Sequence, residues 1–96
     1  MRKKTEKLAL IQADENSSFW ISNGPILKNI KDLADALGNM SEELFAYHVN
    51  AEKNDFAVWA ENVLKDDVLA RNLAKSKTLK AAIKAVSGRL KKYNIE

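Results

Sequence analysis

Residues 44–67 read LFAYHVNAEKNDFAVWAENVLKDD and contain four of the seven aromatic residues and the only histidine. Apolar residues recur on both sides of the polar stretch 50–53 with the three- and four-residue spacing of amphipathic helices. In the second half of this stretch the apolar residues are Phe56, Trp59, Ala60, Val63 and Leu64. The pattern predicts two helices joined at a polar hinge, with the other segments of the chain packed against them.

Further helices are predicted on both sides of this pair from residues that favour helix ends. Ser, Thr, Asn and Asp are preferred N-caps because their side-chain oxygens accept a hydrogen bond from a free backbone N–H in the first turn. The predicted N-caps are Ser41, Asn54, Asp66 or Asp67, and Thr78. Upstream, Pro25 is predicted to begin a first helix that ends at Gly38 and Asn39. Gly88 is expected to weaken the last helix or to end it.

The N-terminal part of the chain has less regular patterning. Residues 1–18 are predicted to be a tail or a loosely packed segment, and residues 19–96 to form a single helical domain. Phe19, Trp20 and Ile21 precede a turn-prone run and predict a short extended piece that packs into the core. A half-buried position is favoured for Trp20, with an exposed anchor as the alternative.

Composition favours an all-α fold. The chain has 96 residues, of which 46% are hydrophobic and 30% charged, with only three glycines and one proline for turns. This predicts a compact bundle of four to five short helices, with or without a short extended N-terminal segment. The predicted core consists of Ile30, Leu33, Leu37, Phe45, Val49, Phe56, Trp59, Val63, Leu69, Ile83, Val86 and Leu90.

Several classes of function lose support from composition alone. The chain has no cysteine, which removes disulfides and thiolate chemistry and favours a cytoplasmic location. No segment approaches the roughly 18 apolar residues of a membrane span, so no membrane partner is expected. We also find no pattern that predicts a cofactor or a metal site. The oligomeric state is not determined by the sequence.

The distribution of charge gives the most specific functional prediction. Residues 1–50 carry six basic and seven acidic side chains, whereas residues 51–96 carry ten basic and six acidic ones. Between Arg71 and Lys92 there are eight basic residues and no acidic one. This favours sequence-independent binding of nucleic-acid backbones. The candidate binding residues are Lys77, Lys80, Lys84, Arg89, Lys91 and Lys92.

Two alternatives stay open beside a simple solvated lysine face. One is a protein-interaction or structural domain whose partner is acidic or docks on an apolar patch near Trp20. The other is an enzyme that uses His48 and Asp55 as an acid–base pair. We predict no enzyme, because no second strong ligand or nucleophile accompanies His48, and we expect His48 to bond to the hinge backbone or to Asp55.

The motif HVN, followed shortly by NDFxxW at residues 48–59, resembles a small uncharacterised helical domain of archaeal and bacterial proteins. The similarity extends over roughly residues 19–74. It implies a compact helical module in a prokaryotic setting. It assigns no catalytic residue, and it does not include the basic segment after Lys77.

Overall fold

A computed structural model of the protein describes residues 8–21 and 24–94. In this part of the chain five helices are accompanied by four two-residue strands. The helices are α1 (Ile30–Gly38), α2 (Glu42–His48), α3 (Asp55–Asn62), α4 (Asp67–Ala74) and α5 (Leu79–Leu90). The strands are β1 (Leu8–Ala9), β2 (Phe19–Trp20), β3 (Ile26–Leu27) and β4 (Tyr93–Asn94). The fold is therefore mostly helical but not purely all-α.

The strands form two small separate sheets. β2 and β3 are antiparallel, with Phe19 opposite Leu27 and Trp20 opposite Ile26. Directly opposed residues lie on one face of a sheet and the next pair on the other. Leu27 is buried while Trp20 and Ile26 are exposed, so this hairpin has an inner and an outer face. β1 pairs in parallel with β4 and joins the two ends of the described chain.

The predicted start of α1 at Pro25 is wrong. Residues 26 and 27 form β3, and the helix begins at Ile30 with Asn29 as its N-cap. The Asn29 side chain accepts a hydrogen bond from the backbone N–H of Asp32 and donates one to Gln12 Oε1. Strand pairing with β2 has overridden the apolar spacing that placed Ile26 on a helix. The predicted end of α1 is confirmed, because Asn39 is its C-cap.

The four other predicted N-cap positions are confirmed, with Asp66 rather than Asp67 as the cap of α4. Asn54 caps α3 and also bonds to the backbone of α4. Its Oδ1 accepts from the backbone N–H of Ala57, and its Nδ2 donates to the carbonyl of Leu73 at 2.8 Å. An amide suits this position because it carries its acceptor and its donor on two separate atoms. Asn54 thereby ties the start of α3 to the end of α4.

The core agrees with most of the predicted set. Nine of the twelve predicted residues are buried, while Val63, Ile83 and Leu90 are only partly buried at its edge. Trp59 is buried and its indole Nε1 donates to the carbonyl of Ser17. Ala13 is also buried, and its N–H donates to the carbonyl of Lys28. Residues 8–18 thus contribute to the packing, while residues 1–7 of the predicted tail lie outside the described range.

The C-terminal helix continues past Gly88 to Leu90, so the expected break at Gly88 is not observed. Tyr93 lies in β4 and is buried there. α5 packs against α1 and α4, and α3 packs against α4. In residues 8–21 and 24–94 no helix has the length and apolar character needed to cross a membrane.

Candidate nucleic-acid interface

Helix α5 has one face in the core and one in solvent. Ala82 and Val86 are buried, while Leu79, Ile83 and Leu90 are partly buried beside them. At about 100° per residue, a face turned away from the core carries Lys80, Lys84, Ser87 and Lys91. Those four residues are all exposed. Because the apolar side fixes the helix against α1 and α4, the lysines are presented by a rigid element.

The predicted binding residues divide into two groups. Lys77, Lys80, Lys84, Lys91 and Lys92 are exposed. Within the described part of the chain, none of these five lysines has a carboxylate oxygen within 4.0 Å. From Lys80 to Lys91 the helix rises by about 16 Å. This row is long enough to contact several successive phosphates, since duplex DNA carries one charge for roughly every 1.7 Å of its axis.

The first turn of α5 differs from that of the other helices. Helices α1 to α4 each carry an acidic residue there, where the positive end of the helix dipole favours it. α5 has none and carries Lys80 instead. A cation at this position opposes the dipole and costs about 0.3–1 kcal/mol. Fold stability therefore does not explain the choice of lysine.

Arg89 is placed differently from the lysines. Its Nε donates to both carboxylate oxygens of Asp66, at 3.1 and 2.8 Å, and its side chain is only 19% exposed. The structure thus brings Arg89 to the junction of α4 and α5 rather than to the lysine row. We therefore restrict the candidate interface, called the lysine face below, to Lys77, Lys80, Lys84, Lys91 and Lys92.

Asp66 is the centre of a buried polar cluster. It caps α4 by accepting from the N–H of Leu69, and it also accepts from Arg89 Nε and from the hydroxyl of Tyr93 at 2.6 Å. Burial alone would raise the pKa of Asp66, but the hydrogen bonds from Arg89, Tyr93 and Leu69 outweigh it and hold this pKa below its ordinary value. Burial and the hydrogen bond to Asp66 raise the pKa of the Tyr93 hydroxyl. The cluster fastens α4, α5 and β4 together.

Charge is segregated along the described chain. Residues 8–66 contain ten acidic and four basic side chains, and residues 67–94 contain one acidic and eight basic ones. The lysine face therefore lies in a segment of opposite charge to most of the domain. A polyanion would be attracted to that segment and repelled by the rest, which favours one orientation of binding.

His48 lies in an aromatic environment at the end of α2. Its Nδ1 is 3.0 Å from Asp55 Oδ2, so the predicted partnership with Asp55 is confirmed. Phe19, Phe56 and Tyr47 place their rings 5.0–5.4 Å from the imidazole. Since a carboxylate accepts, Nδ1 carries the proton of this hydrogen bond. Nε2 is buried and has no hydrogen-bond partner among the described residues. That this pair is not catalytic stays a prediction.

Trp20 is 66% exposed, so the expectation of a half-buried indole is wrong and the alternative of an exposed position is confirmed. It borders a groove of about 370 Å³ whose other walls include Phe19, His48 and Val58. Val58 is 55% exposed and Ile26, opposite Trp20 in the hairpin, is 42% exposed. Large apolar side chains are thus gathered on one surface.

Sequence reasoning missed two features near these sites. The Asp66–Arg89–Tyr93 cluster joins residues 23 and 27 positions apart, and no local pattern indicates that pairing. The exposure of Ile26 was missed because its spacing to Ile30 matched a helix. The run Phe19–Ile21, followed by a turn and by Ile26 and Leu27, could have indicated a hairpin.

Comparison of the chain with protein families, curated proteins and solved structures finds no match. The resemblance carried by the motif at residues 48–59 therefore stays a prediction. The function has to be argued from the charges, exposure and contacts of the residues themselves.

Proposed function

We propose that this protein is a non-enzymatic helical module that binds nucleic-acid backbones without sequence specificity through its lysine face. The observation that carries the proposal is a row of exposed lysines on α5 without carboxylate partners among the described residues. The partner would be met in the cytoplasm, the compartment that the cysteine-free sequence predicts.

The residue types support contact with phosphates rather than with bases. Lysine binds phosphate as a flexible point charge, whereas base reading relies mainly on the bidentate groups of Arg, Asn and Gln. The one arginine of the predicted set is paired with Asp66. Moreover, no aromatic side chain lies between Lys77 and Lys92, which argues against stacking on single strands.

The proposal is tested by fluorescence anisotropy of a labelled DNA duplex, and of a matched RNA duplex, at about 50 and about 200 mM salt. Contact with about four phosphates would weaken the affinity roughly a hundredfold between these conditions, because bound counterions are released. Reversing charge with Lys80→Glu and Lys84→Glu is expected to abolish binding at both salt concentrations.

Lys31→Glu is the matched control because it makes the same change of charge at an exposed position on α1. It should leave the affinity within about threefold of the unchanged protein, since long-range charge effects are screened by salt. Equal losses in Lys31→Glu and Lys80→Glu would mean that only net charge matters. Absence of binding at low salt would refute the proposed function.

A second candidate function is protein binding through the surface around Trp20. The exposed Trp20 favours it, because an indole in water that contacts a groove is a common anchor of protein interfaces. This candidate predicts a partner whose capture resists nuclease and is lost in Trp20→Ser. It involves residues outside the lysine face, so one protein could have both this function and nucleic-acid binding.

A further inference from the structure

The surface around Trp20 continues across the hairpin into a second groove. Trp20 borders the first groove, and Ile26, on the same outer face, borders another groove of about 310 Å³. This second groove has apolar walls from Leu27, Met40 and Leu44. We call the two grooves and the outer face of β2–β3 the hairpin surface.

The charges of the hairpin surface have one sign. Asp32 and Asp35 border the second groove and Asp55 borders the first, whereas no lysine or arginine of the described residues borders either. Lys31 and Lys53 do pair with Asp35 and Asp55, at 3.5 and 3.1 Å, but both lysine side chains are about half exposed. Exposed pairs of this kind contribute roughly 0–1 kcal/mol and exchange readily.

Apolar grooves bordered by carboxylates match a ligand with apolar and cationic side chains. An acidic partner would be repelled here, because residues 8–66 carry six more acidic than basic groups. A purely apolar partner would make no contact of opposite charge with the aspartates. From this complementarity we infer that the hairpin surface docks a basic amphipathic segment of a partner protein, with its apolar side chains in the grooves and its cations on Asp35 and Asp55.

This inference rests on the second candidate function and names the chemistry of its partner. It concerns a surface whose charge is opposite to that of the lysine face. The partner segment would thus avoid the lysine face, and a nucleic acid would avoid the hairpin surface. The two sites differ in ligand and can be tested separately.

The test uses a fluorescently labelled short peptide of leucine, alanine and lysine, designed as an amphipathic helix. Two matched peptides carry glutamine or glutamate in place of every lysine. Anisotropy with the full chain is expected to show binding of the lysine peptide at least tenfold tighter than that of the glutamine peptide, and none of the glutamate peptide. NMR should show the indole Nε1–H signal of Trp20 shifting on addition of the lysine peptide.

Variants locate the binding on the protein. Trp20→Ser is expected to weaken the affinity for the lysine peptide at least tenfold. Asp35→Lys is expected to weaken it about threefold to tenfold. Glu61→Lys, an exposed site on α3 that borders neither groove, is the control for added charge and should change the affinity less than twofold. Unchanged circular dichroism of each variant shows that the fold is kept.

The outcomes separate the inference from the function on which it rests. Equal binding of the lysine and glutamine peptides, reduced by Trp20→Ser, would overturn the cationic partner but keep protein binding at this surface. No binding of any peptide would overturn both. The hairpin surface could also bind a second copy of this chain, and sedimentation velocity of the protein alone tests this. Self-association that is abolished by Trp20→Ser would assign the surface to a second copy and overturn the inference.

Discussion

Asp66 shows how much one buried carboxylate can organise. It caps α4 and also accepts hydrogen bonds from Arg89 and Tyr93. From the sequence, only the cap could be predicted, because capping depends on residues within one helical turn. The contacts with α5 and β4 depend on the assembled fold. Arg89 was accordingly assigned to the nucleic-acid site, although its side chain is turned to Asp66.

Replacing Asp66 with alanine should destabilise the protein strongly. Asp66→Ala removes the cap of α4 and leaves the Arg89 charge and the buried Tyr93 hydroxyl without their acceptor. We expect the free energy of unfolding to fall by about 2–4 kcal/mol. Urea unfolding followed by circular dichroism measures this. Asp67→Ala, at the exposed neighbouring position, should cost less than about 1 kcal/mol, and a similar loss in both variants would contradict the role given to the cluster.

The raised pKa of Tyr93 predicts that the free energy of unfolding falls at alkaline pH. Burial and the bond to Asp66 raise its pKa in the folded protein above the ordinary value of 10.0. The unfolded chain therefore releases the proton first, so the free energy of unfolding should fall as pH rises above about 10. Below that pH the contribution of Tyr93 is fully present.

The comparison with Tyr93→Phe isolates this effect from lysine titration, which both proteins share. The variant should be less stable near neutral pH by about 1 kcal/mol because a hydrogen bond is lost. Its stability should then decline less between about pH 9 and about pH 11. Parallel curves of unfolding free energy against pH would show that Tyr93 does not titrate differently in the two states.

At the scale of elements, prediction succeeded where a helix is specified locally and failed where a strand needs a distant partner. Asn54 and Thr78 begin α3 and α5 as their side chains require. Ile26 and Leu27 fit the spacing of α1 equally well, yet they pair with β2 instead. The run Phe19–Ile21 predicts the extended piece found as β2, but β3 has only two residues, and their helical spacing hides it. The lysine row of α5 could be read from the sequence, whereas the hairpin surface could not.

Helix α5 should show opposite effects of one substitution on stability and on binding. Lys80→Glu places a favourable charge at the positive end of the helix dipole and should raise the free energy of unfolding by about 0.3–1 kcal/mol. The same change should abolish duplex binding, because it reverses a charge of the lysine face. Urea unfolding and anisotropy of one preparation measure both effects.

The control for this pair of measurements is Lys80→Gln. It removes the unfavourable charge without adding a new one, so both effects should be smaller and keep the same directions. A Lys80→Glu protein that loses both stability and binding would show that Lys80 supports the fold, and the argument from the dipole would then fail.

The whole molecule combines a positive segment and a negative one in a single domain. The hairpin surface is formed by residues of the acidic part, and the lysine face belongs to the basic part. Because both parts share one core, a ligand on either surface is held at a fixed orientation to the other. With both proposed ligands bound, a polyanion and a basic protein segment would be held on two separate surfaces of one molecule.

The parallel pairing of β1 with β4 has a consequence for how the domain can be connected. Leu8 lies beside Tyr93 and Ala9 beside Asn94, and paired strands lie about 5 Å apart. Polypeptide arriving at Leu8 and polypeptide leaving Asn94 would therefore meet the domain at almost the same point. The domain could be inserted into a surface loop of another protein without forcing the two sides of that loop apart. It would then be attached to its host at one point, and both proposed binding surfaces would be attached through that point.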